Sequence, residues 1–436
     1  MSGQALSSWP QSRMRAVFRS LGKERSSEGK VFTGSVVMLS GSVLVSLANF
    51  GFNIGIARLL GPEDFSQAAA AVTLLMLASC IHLACQLVTA KLIAKSPAPR
   101  ERAAVYQHLM RRAWLVGFVL SALGIGSSRW VAVYLRMPSP VLIVLLGLGM
   151  LFYIPLGVRR GGMQGTCQFL RLSLNLSCEA VVKLVMAMVL VLSGAGVPGA
   201  VGAISLSVFA AFLLPAGDRE LRQTTTRCLP ISFEESIQAI IFFVGQVIIN
   251  NADILMVKHY FSPNDAGIYA AISLVGRLLY FATWSVTSAM FPVSAGSAAE
   301  SDSRRVLAVP LLFVAGLSTI FVLFLASFPG LVLRTLFGSG FHRPGAGVEE
   351  LLAMNAVATG VYAICVVLIT YEMSRRIANA GWVQLVASLL IIVSIGAFHS
   401  TLMQVIMVQQ VLRGLLLLAV AIPFFRRRPD LAEEAA

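Results

Sequence analysis

Charge is what this 436-residue chain has least of: 12% of its residues are Asp, Glu, Lys or Arg, against about 25% in an ordinary soluble protein. A soluble globule of this length cannot cover itself with so few ionised groups. Soluble enzymes and disordered regulators are therefore excluded. Acidic residues are the scarcer sign, 20 against 34 basic ones, for a net charge of +14. The six cysteines have no regular spacing, and Cys80, Cys85, Cys178 and Cys365 lie inside apolar runs, so neither a disulfide framework nor a metal site is implied. Catalytic signatures are missing too: there is no Gly-x-x-x-x-Gly-Lys-Ser/Thr, no His-Glu-x-x-His and no Gly-x-Ser-x-Gly. The expectation is a protein that is not an enzyme and needs no cofactor or metal.

What is present is apolar length. Hydrophobic residues make up 57% of the chain and mean hydropathy is +0.80. Apolar runs occupy roughly 33–57, 67–90, 113–128, 139–158, 170–193, 197–215, 236–260, 268–292, 307–328, 349–371, 379–399 and 401–425. Stretches of about 20 such residues span a bilayer as helices, and lipid leaves the backbone no other economical solution when the runs do not alternate. The fold class read from this is an all-α polytopic membrane protein of about twelve transmembrane helices.

Lys and Arg counts orient it. With both termini cytosolic, inner segments hold 25 and outer connections six: Arg58, Arg129, Arg136, Lys258, Arg334 and Arg343. Lys183, Arg277 and Arg413 fall within helices. The net charge is mainly a topology signal, with attraction to anionic headgroups added. Scattered over short loops, these residues do not make a nucleic-acid face. Residues 1–32 read as a basic cytoplasmic tail, because they lack an apolar signal core.

The chain also repeats itself. Ala57-Arg58-Leu59-Leu60-Gly61-Pro62-Glu63-Asp64-Phe65-Ser66 is echoed about 201 residues later by Lys258-His259-Tyr260-Phe261-Ser262-Pro263-Asn264-Asp265-Ala266-Gly267. The same offset aligns Asn49 with Asn250. Two pseudo-symmetric six-helix lobes follow, an N-lobe over 33–215 and a C-lobe over 236–425, with a cytoplasmic linker at 216–235 and a C-terminal tail at 426–436.

Polar groups at membrane depth are the remaining signal. A charge at a helix centre costs about 2.5–3.5 kcal/mol on the insertion scale, so it faces a cavity or a partner. Arg171, Asn175, Glu179 and Lys183 recur every four residues and share one helix face. Glu179 and Lys183 either neutralise each other or line water. Gln246, Asn250 and Asp253 form a stripe on the seventh helix, and Arg277 lies ~15 Å inward from Gly267 on the eighth. A structural Asp253–Arg277 bridge and a wet wall are both open. Arg413 has no acid on its own helix and is a partner for Asp253 or a second cavity cation. On the first helix Asn49 and Asn53 share a face, Gly51 and Gly55 allow tight packing, and Arg58 either snorkels or faces a central mouth.

Ser46-Leu47-Ala48-Asn49-Phe50 with Ile56-Ala57-Arg58-Leu59-Leu60-Gly61-Pro62-Glu63-Asp64-Phe65, and later Pro263-Asn264-Asp265-Ala266-Gly267-Ile268-Tyr269, resembles the Wzx-type polysaccharide flippases of the MOP superfamily, which also holds the MATE exporters and lipid II flippases. Ser66-Gln67 departs from the family, which usually has Gly and an aliphatic or aromatic residue there. The resemblance implies two lobes in a V around a cavity lined by helices one, two, seven and eight. It also implies outward movement of an undecaprenyl-pyrophosphate-linked oligosaccharide across a bacterial inner membrane, with the lipid-linked glycan and membrane lipids as partners and a polymerase and assembly proteins as further candidates. Arg58 and Arg277 match the family's cavity cations, and Lys183 and Arg413 extend the set by depth alone. Asn49, Asn53, Glu179, Gln246, Asn250 and Asp253 are the expected polar or coupling groups. The five central charges sum to +1, and Arg58 and Lys258 raise this to +3, which favours an anionic headgroup. Moving each negative charge out of an inside-negative cell releases up to ~2.3 kcal/mol per 100 mV. The alternative is a MATE-like proton- or sodium-coupled exporter using Asp253 or Glu179. A polysaccharide polymerase or scaffold would need larger outer loops than 328–348 provides.

Overall fold

An apolar chain in lipid must pair its backbone groups within each segment, and no strand occurs among the described residues. The computed structural model describes residues 27–96, 98–215, 234–296, 300–341, 347–375 and 380–426. The basic tail before residue 27, nearly all of the expected linker (216–233) and the last ten residues lie outside them. The helices are α1 (Ser27–Lys95), α2 (Pro99–Gly126), α3 (Ser128–Tyr134), α4 (Val141–Gly165), α5 (Phe169–Leu190), α6 (Gly196–Leu213), α7 (Glu234–Tyr260), α8 (Pro263–Gly296), α9 (Glu300–Ser327), α10 (Pro329–Phe337), α11 (Val348–Arg375), α12 (Ala380–Ala397) and α13 (Leu402–Arg426).

Among the described residues, ten helical stretches are long and apolar enough to cross a membrane. Two of them, Ser40–Lys95 and Phe169–Leu213, contain 56 and 45 residues, about 84 and 68 Å of helix at 1.5 Å per residue. Each makes two crossings of a core roughly 30 Å thick. The first is broken at Gly61, whose φ of 75° and ψ of 177° are non-helical. Pro62 follows and has no N–H to continue the ladder. The second is broken in a π turn, Val191–Ala195, at Gly194 (φ 93°). The chain is a multi-pass helical membrane protein with twelve passages, matching the twelve apolar runs. The sequence reading missed two short helices, α3 and α10, and took their residues for plain connections. Too short for a periodic pattern, both are held by tertiary contacts.

One bundle packs α1 with α4, α5 and α6, and α2 with α4; the other packs α7 with α12 and α11 with α8, α9 and α13. Between them α1 lies against both α7 and α8. Within the first bundle, Gly157, Gly161 and Gly165 on α4 face the second arm of α1. A Cβ there would lie 2.5 Å from the carbonyl oxygen of His82, 2.4 Å from that of Gln86 and 2.7 Å from that of Ala90. This small-residue ladder lets two backbones touch, the usual device where lipid removes the hydrophobic drive between helices. Gly161→Ala is expected to destabilise the protein by about 1–3 kcal/mol. Gly126→Ala, which meets open space, should leave the unfolding midpoint in detergent unchanged.

Candidate functional site

Three groups of polar side chains stand out: a seam between the bundles and one cluster inside each. The seam gathers at the Gly61 end. Lys258, 1% exposed, donates from Nζ to Ser66 Oγ at 2.7 Å. Gly267 lies so close to Pro62 that a Cβ would be 1.8 Å from its carbonyl oxygen. Phe65 packs edge-on against Phe341, with centroids 5.8 Å apart. Arg58 Nε donates to the carbonyl of Leu336 at 2.8 Å, and its Nη2 to that of Thr335, in the last turn of α10. His259 Nδ1 donates to the carbonyl of Tyr134 at 2.6 Å, the last residue of α3, and its ring stacks on that of Tyr134 at 4.0 Å.

The last two contacts are mates. Arg58 and His259 differ by 201, as do Tyr134 and Thr335. Each bundle's first passage thus ends in a side chain that caps the carbonyl end of the other bundle's short helix. A cation or N–H donor at a helix C-terminus meets both orphan carbonyls and the negative end of the macrodipole.

In the second bundle, Gln246, Asn250, Asp253, Arg277 and Arg413 come together. Asp253 accepts from Tyr269 Oη at 2.7 Å, and Gln409 Nε2 donates to the same hydroxyl at 2.6 Å. Arg413 reaches Gln409 Oε1 at 3.0 Å and the Ile249 carbonyl at 3.3 Å, and lies over the Tyr362 ring at 5.5 Å. Gln384 links Tyr362 Oη (3.0 Å) to Gln246 Oε1 (2.8 Å), and Gln246 donates to Tyr280 Oη at 2.7 Å. Arg277 Nη2 donates to the Asn250 carbonyl at 3.1 Å. Asn250, Asp253, Arg277 and Arg413 line one small pocket with Asn355 and Thr359. Of the two open readings, no Asp253–Arg277 bridge forms, and Arg413 does not supply one. Asp253 Oδ1, Arg277 Nε and Arg413 Nε are buried without partners, so the charges face a shared space instead of neutralising one another in contact.

In the first bundle Glu179 and Lys183, which the sequence leaves as either a pair or a water-lining couple, do not pair with each other. Glu179 pairs with Arg160 of α4. Arg160 Nε also donates to Asn175 Oδ1 at 2.9 Å, and Asn175 Nδ2 donates to the Ala211 carbonyl at 2.7 Å. Three helices are tied together by this network. Lys183 is left half-buried over the Phe52 ring, 5.2 Å from its centroid. Asn53 donates to the carbonyl of Asn49 at 2.8 Å. Asn49 Oδ1 is buried and unpaired.

A family model described as "Polysaccharide biosynthesis protein" matches residues 56–343. The chain belongs to that family. Solved structures show the fold. The lipid II flippase MurJ in an inward closed conformation has a TM-score of 0.70 at 11% identity, covering 90% of this chain and 87% of that one. A multidrug resistance MATE family transporter of the MOP superfamily has a TM-score of 0.65 at 12% identity inward-facing, covering 90% and 99%. Outward-facing, the score is 0.61 at 14% identity, covering 92% and 97%. A search of curated protein sequences returns no match. The polysaccharide biosynthesis match begins two residues before Arg58 and ends two after Phe341, so it contains both halves of the seam.

Within this family member, three charges sit elsewhere than counted from the sequence. Arg159 and Arg160 are buried on α4, not in a connection, and Lys258 is buried in the seam at the Gly61 end, not exposed in a loop. α4 continues past the apolar run because Arg159 finds the carbonyls of Phe212 and Leu214 and Arg160 finds Glu179. Ser66, the departure from the family pattern, is the acceptor for Lys258. Tyr362, Gln384 and Gln409 were missed, and Tyr269 enters only within a motif; the i,i+4 spacing of Gln409 and Arg413 on one helix was the signal available.

Removing one partner of a buried ion pair costs about 3–5 kcal/mol, because the other charge is stranded. Arg160→Met should therefore lower stability by about that amount in detergent unfolding, and Arg160→Met with Glu179→Leu should regain most of it.

Proposed function

We propose that this chain is a flippase that moves a polyprenyl-pyrophosphate-linked oligosaccharide from the cytoplasmic to the outer leaflet of a bacterial inner membrane. The observation that carries the reading is the family match together with uncancelled guanidinium groups at membrane depth. Arg277, half-buried and with Nε unpaired, is the cation best disposed to meet a pyrophosphate. Lys183, half-buried in the other lobe without a touching acid, is the second. Arg413, 5% exposed and held by Gln409 and Ile249, positions the cluster. Arg58, on the rim, serves the seam. Asn49, Asn53, Gln246 and Asn250 supply neutral polar walls. Asp253 and Glu179 are the candidate coupling carboxylates; Asp253 has one oxygen unpaired, whereas Glu179 is held by Arg160.

Transport requires the two ends to open in turn. Taking the Gly61 end as external, as the Lys and Arg counts have it, the seam closes the outer face and the lobes receive substrate from the cytoplasm. The reciprocal caps are each worth about 0.3–1 kcal/mol. Removing both, in Arg58→Ala with His259→Ala, should favour the outward-open state roughly three- to thirtyfold at 1.4 kcal/mol per decade. An impermeant maleimide acting from outside on a cysteine placed at Ala57, fully buried here, would read this as a labelling rate.

The functional test is glycan export. Arg277→Ala is expected to abolish surface glycan while the protein remains inserted and folded; normal surface glycan in that variant removes Arg277 from the mechanism. In vesicles, flipping of a polyprenyl-pyrophosphate oligosaccharide should accelerate when the substrate's negative charge moves toward positive potential. Flipping indifferent to a clamped potential excludes the electrical drive.

A further inference from the structure

A groove on the flank of the N-lobe is not accounted for by transport. It holds about 200 Å³ and lies between the second arm of α1, α2 and α4, lined by Cys85, Val88, Leu109, Arg112, Val116 and Val158 among others. Its wall is almost wholly apolar. The Thr89 hydroxyl donates to the Cys85 carbonyl at 2.6 Å and so offers the groove nothing polar. Arg112, exposed, is the one charged group in the lining, and among the described residues no hydrogen bond or ion pair engages it.

The depth of the groove is fixed by the helices. Cys85 lies 24 residues beyond Gly61, about 36 Å along α1 at 1.5 Å per residue. A hydrocarbon core is roughly 30 Å thick, and the headgroups extend the bilayer to about 40–45 Å. Arg112 is also the last residue before the apolar run that starts at 113. The groove therefore crosses from acyl chains to headgroups in the leaflet away from the Gly61 end. That end is strongly basic: between residues 91 and 112 there are six Lys or Arg and one acid, Glu101. Cations beside an anionic leaflet each contribute about 1 kcal/mol of attraction, and of these six Arg112 is the one that lines this groove.

We infer that this groove is a binding site for one anionic phospholipid, its acyl chain against Val88, Leu109, Val116 and Val158 and its phosphate on Arg112. The lipid fastens α2 to α1 and α4, which otherwise meet there through a small separate core around Ile93, Val105 and Ile154. It is a resident lipid and not the cargo, and the site does not depend on the transport reading.

The test uses the purified full chain in a neutral detergent, with unfolding followed as phosphatidylglycerol, phosphatidylcholine or inorganic phosphate is added. Phosphatidylglycerol is expected to stabilise the protein saturably. Arg112→Gln and Val116→Trp, which fills the slot from an already exposed position, should each weaken the apparent affinity tenfold or more. Arg100→Gln, in the same basic belt, should change it less than twofold. Both groove variants should melt like the parent without lipid, which separates lost binding from lost folding. Equal stabilisation by phosphatidylcholine, reproduction by inorganic phosphate, or an Arg100→Gln effect as large as that of Arg112→Gln would overturn the proposal. So would full phosphatidylglycerol affinity in Val116→Trp.

Discussion

In a medium without water, a charged or hydrogen-bonding group has to be answered by a neighbour at contact distance, because nothing else can screen it. Most of this structure follows from that constraint. Arg159 and Arg160 extend α4 into what looked like a loop because two carbonyls, an amide and a carboxylate receive them. Where the answer is incomplete, at Asp253, Arg277 and Arg413, the unmet atoms share one pocket, and those groups carry the functional argument. The complete network around Arg160 holds three helices in place; the incomplete one leaves charged atoms facing a shared space.

The seam obeys the same rule with weaker groups. Helix ends leave carbonyls unsatisfied, and α3 and α10 present theirs across the molecular axis to His259 and Arg58. Because the two contacts fall at the repeat offset, duplication of one half supplied both. A closure made of hydrogen bonds to backbone and a few aromatic contacts is specific in geometry and modest in energy. By contrast the Gly157, Gly161 and Gly165 contact inside the N-lobe brings backbone onto backbone and has no comparable means of release.

The sequence carried the helical fold in full view: long apolar runs are a strong signal, and all twelve passages fell where the runs lie. Five of the polar residues singled out by depth, from Gln246 to Arg413, do gather in one cluster. Partners were less legible. Periodicity places Glu179 and Lys183 on one face, and the i,i+4 rule then favours their pairing, but Arg160 on a neighbouring helix offers a guanidinium with two donors in a drier place. Lys258 looked external because it ends an apolar run beside a Pro-containing turn; only the approach of the other bundle buries it. Such contacts between distant segments have no local pattern to read. The residues of α3 and α10 showed nothing at all, since seven or nine residues are too few for periodicity to emerge.

The two mates at the seam are alike in position but not in substance. Lys258 stands as a peg in the hydroxyl of Ser66, whereas the corresponding Ala57 has nothing comparable; Gly267, the counterpart of Ser66, instead slides its bare backbone onto the Pro62 carbonyl, where neither residue offers an obstructing group. One side of the closure is therefore pinned and the other is a plain bearing. The pinned side resists separation by a hydrogen bond, the plain side only by the fit of two backbones.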